Sequence, residues 1–166
     1  FGAKKETTGE LVFTTAMTGY LETLTDPSYF GQVVIQTFPL IGNYGVIPSD
    51  FESKKPALKA YIVRNWCQEP SNFRCEGVLD TFLKDSDVPG LYDIDTRCLT
   101  RIVREYGVMN CKLTYSLDNL DKDIEELKSY KVTDAVKSVT TDKEELFESE
   151  THKKNVVLMD FGAKDN

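Results

Sequence analysis

Asp95-Thr96-Arg97-Cys98-Leu99-Thr100-Arg101-Ile102-Val103-Arg104-Glu105-Tyr106-Gly107, followed by Val108-Met109-Asn110-Cys111-Lys112-Leu113-Thr114-Tyr115, changes its hydrophobic period half-way along. In the first half Leu99, Ile102, Val103 and Tyr106 recur at i, i+3, i+4 and i+7, the spacing of one helix face. Asp95 stands where an N-cap belongs and Gly107 where a helix stops. In the second half Met109, Cys111, Leu113 and Tyr115 alternate with Asn110, Lys112 and Thr114, which is the period of a strand with one wet face. A helix running directly into a strand predicts an α/β domain.

The same alternation continues outward. Leu11–Thr15 and Gln32–Phe38 are β-branched and aromatic runs bounded by glycine or proline, and they read as strands. Leu58–Val63 and Pro89–Ile94 are shorter apolar runs of the buried-strand type. Val78, Leu79, Phe82 and Leu83 make the stripe of a short helix ending near Ser86, and Leu117, Leu120, Ile124 and Leu127 mark a further helix with a wide polar face. The sheet of such a fold is mixed or purely parallel. Beyond a polar stretch, the uninterrupted run Val156–Gly162 predicts a buried parallel strand, placed where a second domain would begin and be cut away at Asn166.

The 166 residues include 27 acidic and 20 basic side chains, a net charge of −7, and 40% are hydrophobic. That is enough apolar chain for one core without staples, and it excludes a disordered tail, a fibrous protein and a disulfide scaffold. Net negative charge argues against nucleic acid and anionic membranes as partners. No apolar run reaches the roughly 20 residues that span a bilayer, and the Phe1–Glu6 segment lacks the apolar centre of a signal peptide, so a cytoplasmic location is the expectation. Cys67, Cys75, Cys98 and Cys111 contain no C-x-x-C pair, which predicts reduced thiols in or near the core and no metal site. The only histidine is His152, in a charged stretch, so autonomous nucleophilic catalysis has no imidazole held where it could act. Residues 118–154 carry −4 of the −7.

Three features stand out against this background. Arg97, Arg101 and Arg104, at i, i+4 and i+7, form a basic row that either pairs with carboxylates or phosphates of a partner or is an ordinary solvated face. The loop Asp26-Pro27-Ser28-Tyr29 presents Ser28 outward, either to hydrogen-bond a polar ligand or to cap its own backbone. Ile41-Gly42-Asn43-Tyr44-Gly45 lacks both phosphate-binding glycine patterns and reads as a turn with glycines at positive φ. Asp93 and Asp95, beside an N-cap position, are structural rather than acid/base groups.

Thr15-Ala16-Met17-Thr18-Gly19-Tyr20, Leu24-Thr25-Asp26-Pro27-Ser28-Tyr29, Pro39-Leu40-Ile41-Gly42-Asn43-Tyr44-Gly45, Ser71-Asn72-Phe73-Arg74 and Asp95-Thr96-Arg97-Cys98-Leu99-Thr100-Arg101 together resemble, in order, the small subunits of glutamine-dependent carbamoyl-phosphate synthases. The resemblance implies a layered β/β/α swivelling domain over residues 1–130, a polar connector over 131–155, and at 156–166 the first strand of a truncated class I glutamine amidotransferase domain. It implies docking on a large subunit, with Arg97, Arg101 and Arg104 as a candidate docking face, and a contact from Ser28 to the substrate glutamine. The parent enzyme is a ligase that makes carbamoyl phosphate from glutamine, bicarbonate and ATP for pyrimidine and arginine synthesis, with ATP and magnesium used by the large subunit. By the same resemblance the cysteine, histidine and glutamate of the glutaminase site lie outside these residues, so this chain binds no cofactor and is catalytically silent. It also implies a strand and hairpin ahead of Phe1. The alternative is a stand-alone, non-catalytic domain that binds a small ligand at the Ser28 loop.

Overall fold

A computed structural model describes residues 1–148, 151 and 154–165; His152 lies outside the described residues. The strands are β1 (Thr7–Thr14), β2 (Gln32–Gln36), β3 (Leu40–Ile41), β4 (Ala60–Ile62), β5 (Asn65–Trp66), β6 (Gly90–Leu91) and β7 (Met109–Leu113). The helices are α1 (Tyr20–Thr25), α2 (Leu79–Asp85), α3 (Thr96–Tyr106), α4 (Leu120–Ser129) and α5 (Ala135–Val139). Five strands form one sheet in the order β6-β4-β2-β1-β7, while β3 and β5 pair separately. β6, β4, β2 and β1 are mutually parallel and β7 is antiparallel to β1, so the α/β sheet is mixed.

β1 starts four residues before the predicted Leu11 because it serves two partners in turn. Thr7–Leu11 pairs with β7, and Glu10–Thr14 pairs with β2. Gly9, which reads as a strand boundary, lies inside it: a Cβ there would meet the Gly31 carbonyl oxygen at 2.8 Å. Close backbone approach, not chain reversal, accounts for that glycine.

β2 and β4 are buried on both faces, and their alternating side chains divide the core in two. Val34 and Tyr61 point into a cluster with Leu21, Leu24, Leu79 and Leu83 from α1 and α2. Val33, Ile35, Ala60 and Ile62 point the other way, onto Val103 of α3. α1 and α3 therefore cover opposite faces of the sheet.

Helix α3 has the predicted ends: the Asp95 carboxylate accepts the Cys98 N–H at 2.9 Å, and Gly107, at φ +83°, donates to the Val103 carbonyl at 2.9 Å. Its buried face is rotated from the expected stripe. Thr96, Thr100 and Val103 are buried, whereas Ile102 and Tyr106 are exposed, because the sheet meets the helix on its Thr96–Val103 side. The wet face expected on β7 is covered by α4: Asn110 Nδ2 donates to the Leu127 and Tyr130 carbonyls at 2.8 and 2.9 Å, and Lys112 pairs with Asp123. Polar contacts hold that helix, and its Leu120 and Ile124 stay exposed, as does Leu117 before it.

Two shorter expectations also change. Pro89–Ile94 contributes only the two residues of β6, since Asp93 takes up a left-handed φ of +62° and ends it. Val156–Gly162 forms no strand, and Val156, Val157, Leu158, Met159 and Phe161 are exposed. All five strands of the sheet come from residues 7–113, and a strand of wholly apolar positions needs neighbours on both sides that the described residues do not offer. All four cysteines are free, but Cys98 is exposed on α3 instead of near the core. Burial pushes the Cys111 thiol up to about 12.

The glycines of Ile41–Gly45 adopt positive φ, +87° at Gly42 and +74° at Gly45. A Cβ on Gly45 would meet the Gly77 carbonyl oxygen at 2.7 Å and overlap Cys75 Sγ. Gly45→Ala is expected to lower the free energy of unfolding in urea by at least about 2 kcal/mol, from left-handed strain plus overlap. A loss below about 0.5 kcal/mol contradicts this packing.

Candidate functional site

The sequence signals assign no element between the strand read at Leu11–Thr15 and the loop at Asp26–Tyr29, and helix α1 occupies that interval. Its apolar positions, Tyr20, Leu21 and Leu24, are i, i+1 and i+4, and all three are buried. The N-terminus has no side-chain cap of its own; the Tyr44 hydroxyl oxygen accepts from the Gly19 and Tyr20 N–H groups, each at 3.2 Å. The two tyrosine rings stack with centroids 4.1 Å apart, and the Tyr20 hydroxyl donates to the Gly45 carbonyl at 2.5 Å. Burial raises the Tyr20 phenol, so it stays a protonated donor.

At the other end, α1 delivers the Ser28 loop. Asp26 caps a 3-10 turn over Pro27–Tyr29: its Oδ1 accepts the Ser28 N–H at 2.8 Å, and proline occupies the first helical position. Ser28 is exposed. The Asp26 Oδ2 accepts from Lys164 Nζ at 2.7 Å, across 138 residues of sequence. Burial alone would raise the Asp26 carboxyl, but hydrogen bonds from Lys164 and Ser28 outweigh it and hold the group below its ordinary range. The same bond raises the Lys164 ammonium.

The root of the loop is clamped from a third segment. Thr25 is fully buried; its hydroxyl donates to the Leu21 carbonyl and accepts the Glu52 N–H, both at 2.8 Å, and its carbonyl accepts from Ser53 Oγ at 2.6 Å. The Glu52 carbonyl in turn accepts the Asp165 N–H at 2.9 Å. Ahead of that contact, Asp160 Oδ1 accepts the Gly162 and Ala163 N–H groups at 2.7 and 2.6 Å, closing a turn against Val139 of α5. Thr25, Glu52, Ser53 and Lys164 were not picked out by sequence reasoning, because only the tertiary fold brings residues 25, 52 and 164 together.

Ser28 follows α1 on one face of the sheet, while Arg97, Arg101 and Arg104 ride on α3 against the other. The structure does not join them in one site. All three arginines are exposed, and none is in an ion pair among the described residues. Among the described residues, no group of three or more His, Cys, Asp or Glu side chains is gathered as metal ligands, and no helix is long and apolar enough to cross a membrane.

Residues 1–113 match the family model described as the carbamoyl-phosphate synthase small chain, CPSase domain. The chain belongs to the carbamoyl-phosphate synthase small-chain family. It is 48% identical over 166 residues to the small chain of Clostridium perfringens, covering 100% of this chain and 47% of that protein. It is 49% identical over 168 residues to that of Bacillus thuringiensis, covering 99% and 44%, and 45% identical over 166 residues to that of Listeria monocytogenes, covering 99% and 45%. The chain thus spans just under half the length of these carbamoyl-phosphate synthase small chains, and the Ser28 loop and its clamp lie within the matched region.

The linkage between Asp26 and Lys164 has a definite sign. A carboxyl held below its unfolded value of about 3.9 stabilises the folded chain fully above that pH, and the contribution disappears as pH falls through the lower folded value. The Asp26 carboxyl carbon, followed by NMR, is expected to titrate below about 3.9, and Lys164→Ala is expected to move that inflection upward. An unchanged inflection in the variant contradicts the ion pair.

Proposed function

We propose that this chain is the N-terminal, large-subunit-docking domain of a glutamine-hydrolysing carbamoyl-phosphate synthase small subunit, followed by a connector and the opening residues of its amidotransferase domain. The observation that carries the reading is the Asp26–Tyr29 turn, which exposes Ser28 while its backbone is fixed by the Asp26 cap and the buried Thr25 root. A hydroxyl presented on a pre-ordered turn gives up little freedom on binding a polar ligand, and glutamine offers amide, ammonium and carboxylate partners. In the parent assembly, glutamine is hydrolysed in the small subunit, and the ammonia passes to the large subunit to be combined with bicarbonate at the expense of ATP with magnesium. The carbamoyl phosphate formed serves pyrimidine and arginine synthesis.

The exposed row Arg97, Arg101 and Arg104 is the proposed docking face, since three guanidinium groups on one helix side suit carboxylates of a partner. The chain itself is proposed to be catalytically silent because, by the resemblance, none of its residues matches the cysteine, histidine and glutamate of the glutaminase site.

Two measurements test the reading. In size-exclusion chromatography at micromolar concentration the chain is expected to co-elute with the large subunit and, alone, to hydrolyse no glutamine. Absence of co-elution favours a stand-alone ligand-binding domain, and glutamine hydrolysis by the isolated chain contradicts its silence. In the full-length small subunit assembled with its partner, Ser28→Ala is expected to raise KM for glutamine about tenfold, the loss of one hydrogen bond to a charged or polar ligand. An unchanged KM rejects Ser28 as a ligand contact.

A further inference from the structure

Thr25 ties segment 52–53 to the root of the Ser28 turn. Its hydroxyl uses both of its hydrogen-bonding roles, donating back to Leu21 within α1 and accepting from Glu52, and its carbonyl takes the Ser53 hydroxyl. The next residue, Asp26, fixes the Ser28 backbone and holds Lys164. Segment 52–53 also carries the Asp165 contact, so Thr25 ties the root of the turn to the same strap that reaches the end of the described chain. A valine would match threonine in shape but leave the Glu52 N–H without its acceptor. A serine would keep every bond.

We infer that Thr25 is a positioning residue for the Ser28 loop, setting where the Ser28 hydroxyl stands through the Glu52 and Ser53 hydrogen bonds. The inference rests on the reading of Ser28 as a contact to glutamine. Thr25 itself is fully buried and touches no ligand, so its effect travels through the turn. A loop shifted at its root misplaces one ligand hydrogen bond and leaves distant chemistry alone.

The test uses the full-length small subunit in complex with its large subunit. Thr25→Val is expected to raise KM for glutamine about fivefold while kcat stays within about twofold, and Thr25→Ser to return KM to within about twofold of the unaltered complex. Ser53→Ala removes the other half of the clamp without altering α1, and is expected to raise KM about threefold; it decides the matter if Thr25→Val does not assemble. In the Ser28→Ala background, Thr25→Val is expected to add nothing further, because both changes act on one contact. The inference is overturned if Ser28→Ala raises KM but Thr25→Val and Ser53→Ala do not, if Thr25→Ser behaves like Thr25→Val, or if the Thr25→Val effect persists in full without the Ser28 hydroxyl. If Ser28→Ala itself leaves KM unchanged, the glutamine reading fails first, and this inference with it.

Discussion

Burial of β2 and β4 on both faces is the constraint on which the rest of the structure depends. Val33, Val34, Ile35, Ala60 and Tyr61 are all fully buried, so each face of the sheet must be covered. A two-sided sheet of parallel strands takes helices on either side. α3 covers one face and α1 and α2 cover the other, and the two clusters they make divide the apolar residues by the alternation of the strands. Fully burying a Val, Leu or Ile side chain contributes about 1.5–3 kcal/mol, so these two clusters outweigh any surface ion pair in the molecule.

That arrangement explains how loops become fixed points. α1 has only six residues, too few to persist alone, and it holds because Tyr20, Leu21 and Leu24 are packed against the sheet and Tyr44 caps its first turn. Its anchoring lets it end in a defined place, and the Asp26–Tyr29 turn inherits that definition. The motifs Thr15–Tyr20 and Pro39–Gly45 are separate in sequence but lock into one another through Tyr20, Tyr44 and Gly45, and α1 runs from the first of them into Leu24–Tyr29.

Much of the frame was legible in the residues because local signals agreed with the tertiary outcome. Asp95 and Gly107 bracket α3 as capping chemistry requires, and the β-branched run Gln32–Phe38 reads as a strand, which the structure gives as β2 over Gln32–Gln36. Where tertiary contacts decide, local pattern misleads. α1 was hidden among threonines and turn formers, although Tyr20, Leu21 and Leu24 have helical spacing. The face of α3 that meets the sheet is chosen by Thr96, Thr100 and Val103, so hydrophobicity alone pointed to Ile102 and Tyr106 in error. β7 looked half-solvated because Asn110 and Lys112 are polar, yet both are satisfied by α4. Val156–Gly162 has the composition of a buried strand but finds no strand to pair with among the described residues. At the site, Asp26 and Ser28 were readable as a turn, whereas the Thr25–Glu52–Ser53 clamp and the Asp26–Lys164 pair exist only once the chain is folded.

The central claim, that a packed two-faced sheet holds the Ser28 turn at a fixed root, is tested most directly by residue-resolved amide hydrogen exchange in the folded chain. The account predicts that the Ser28 and Glu52 amides, whose acceptors are Asp26 Oδ1 and Thr25 Oγ1, exchange at least about a hundredfold slower than unstructured amides, with Val34 and Tyr61 slower still. Exchange of the Ser28 and Glu52 amides at unstructured rates while Val34 and Tyr61 remain protected would contradict it.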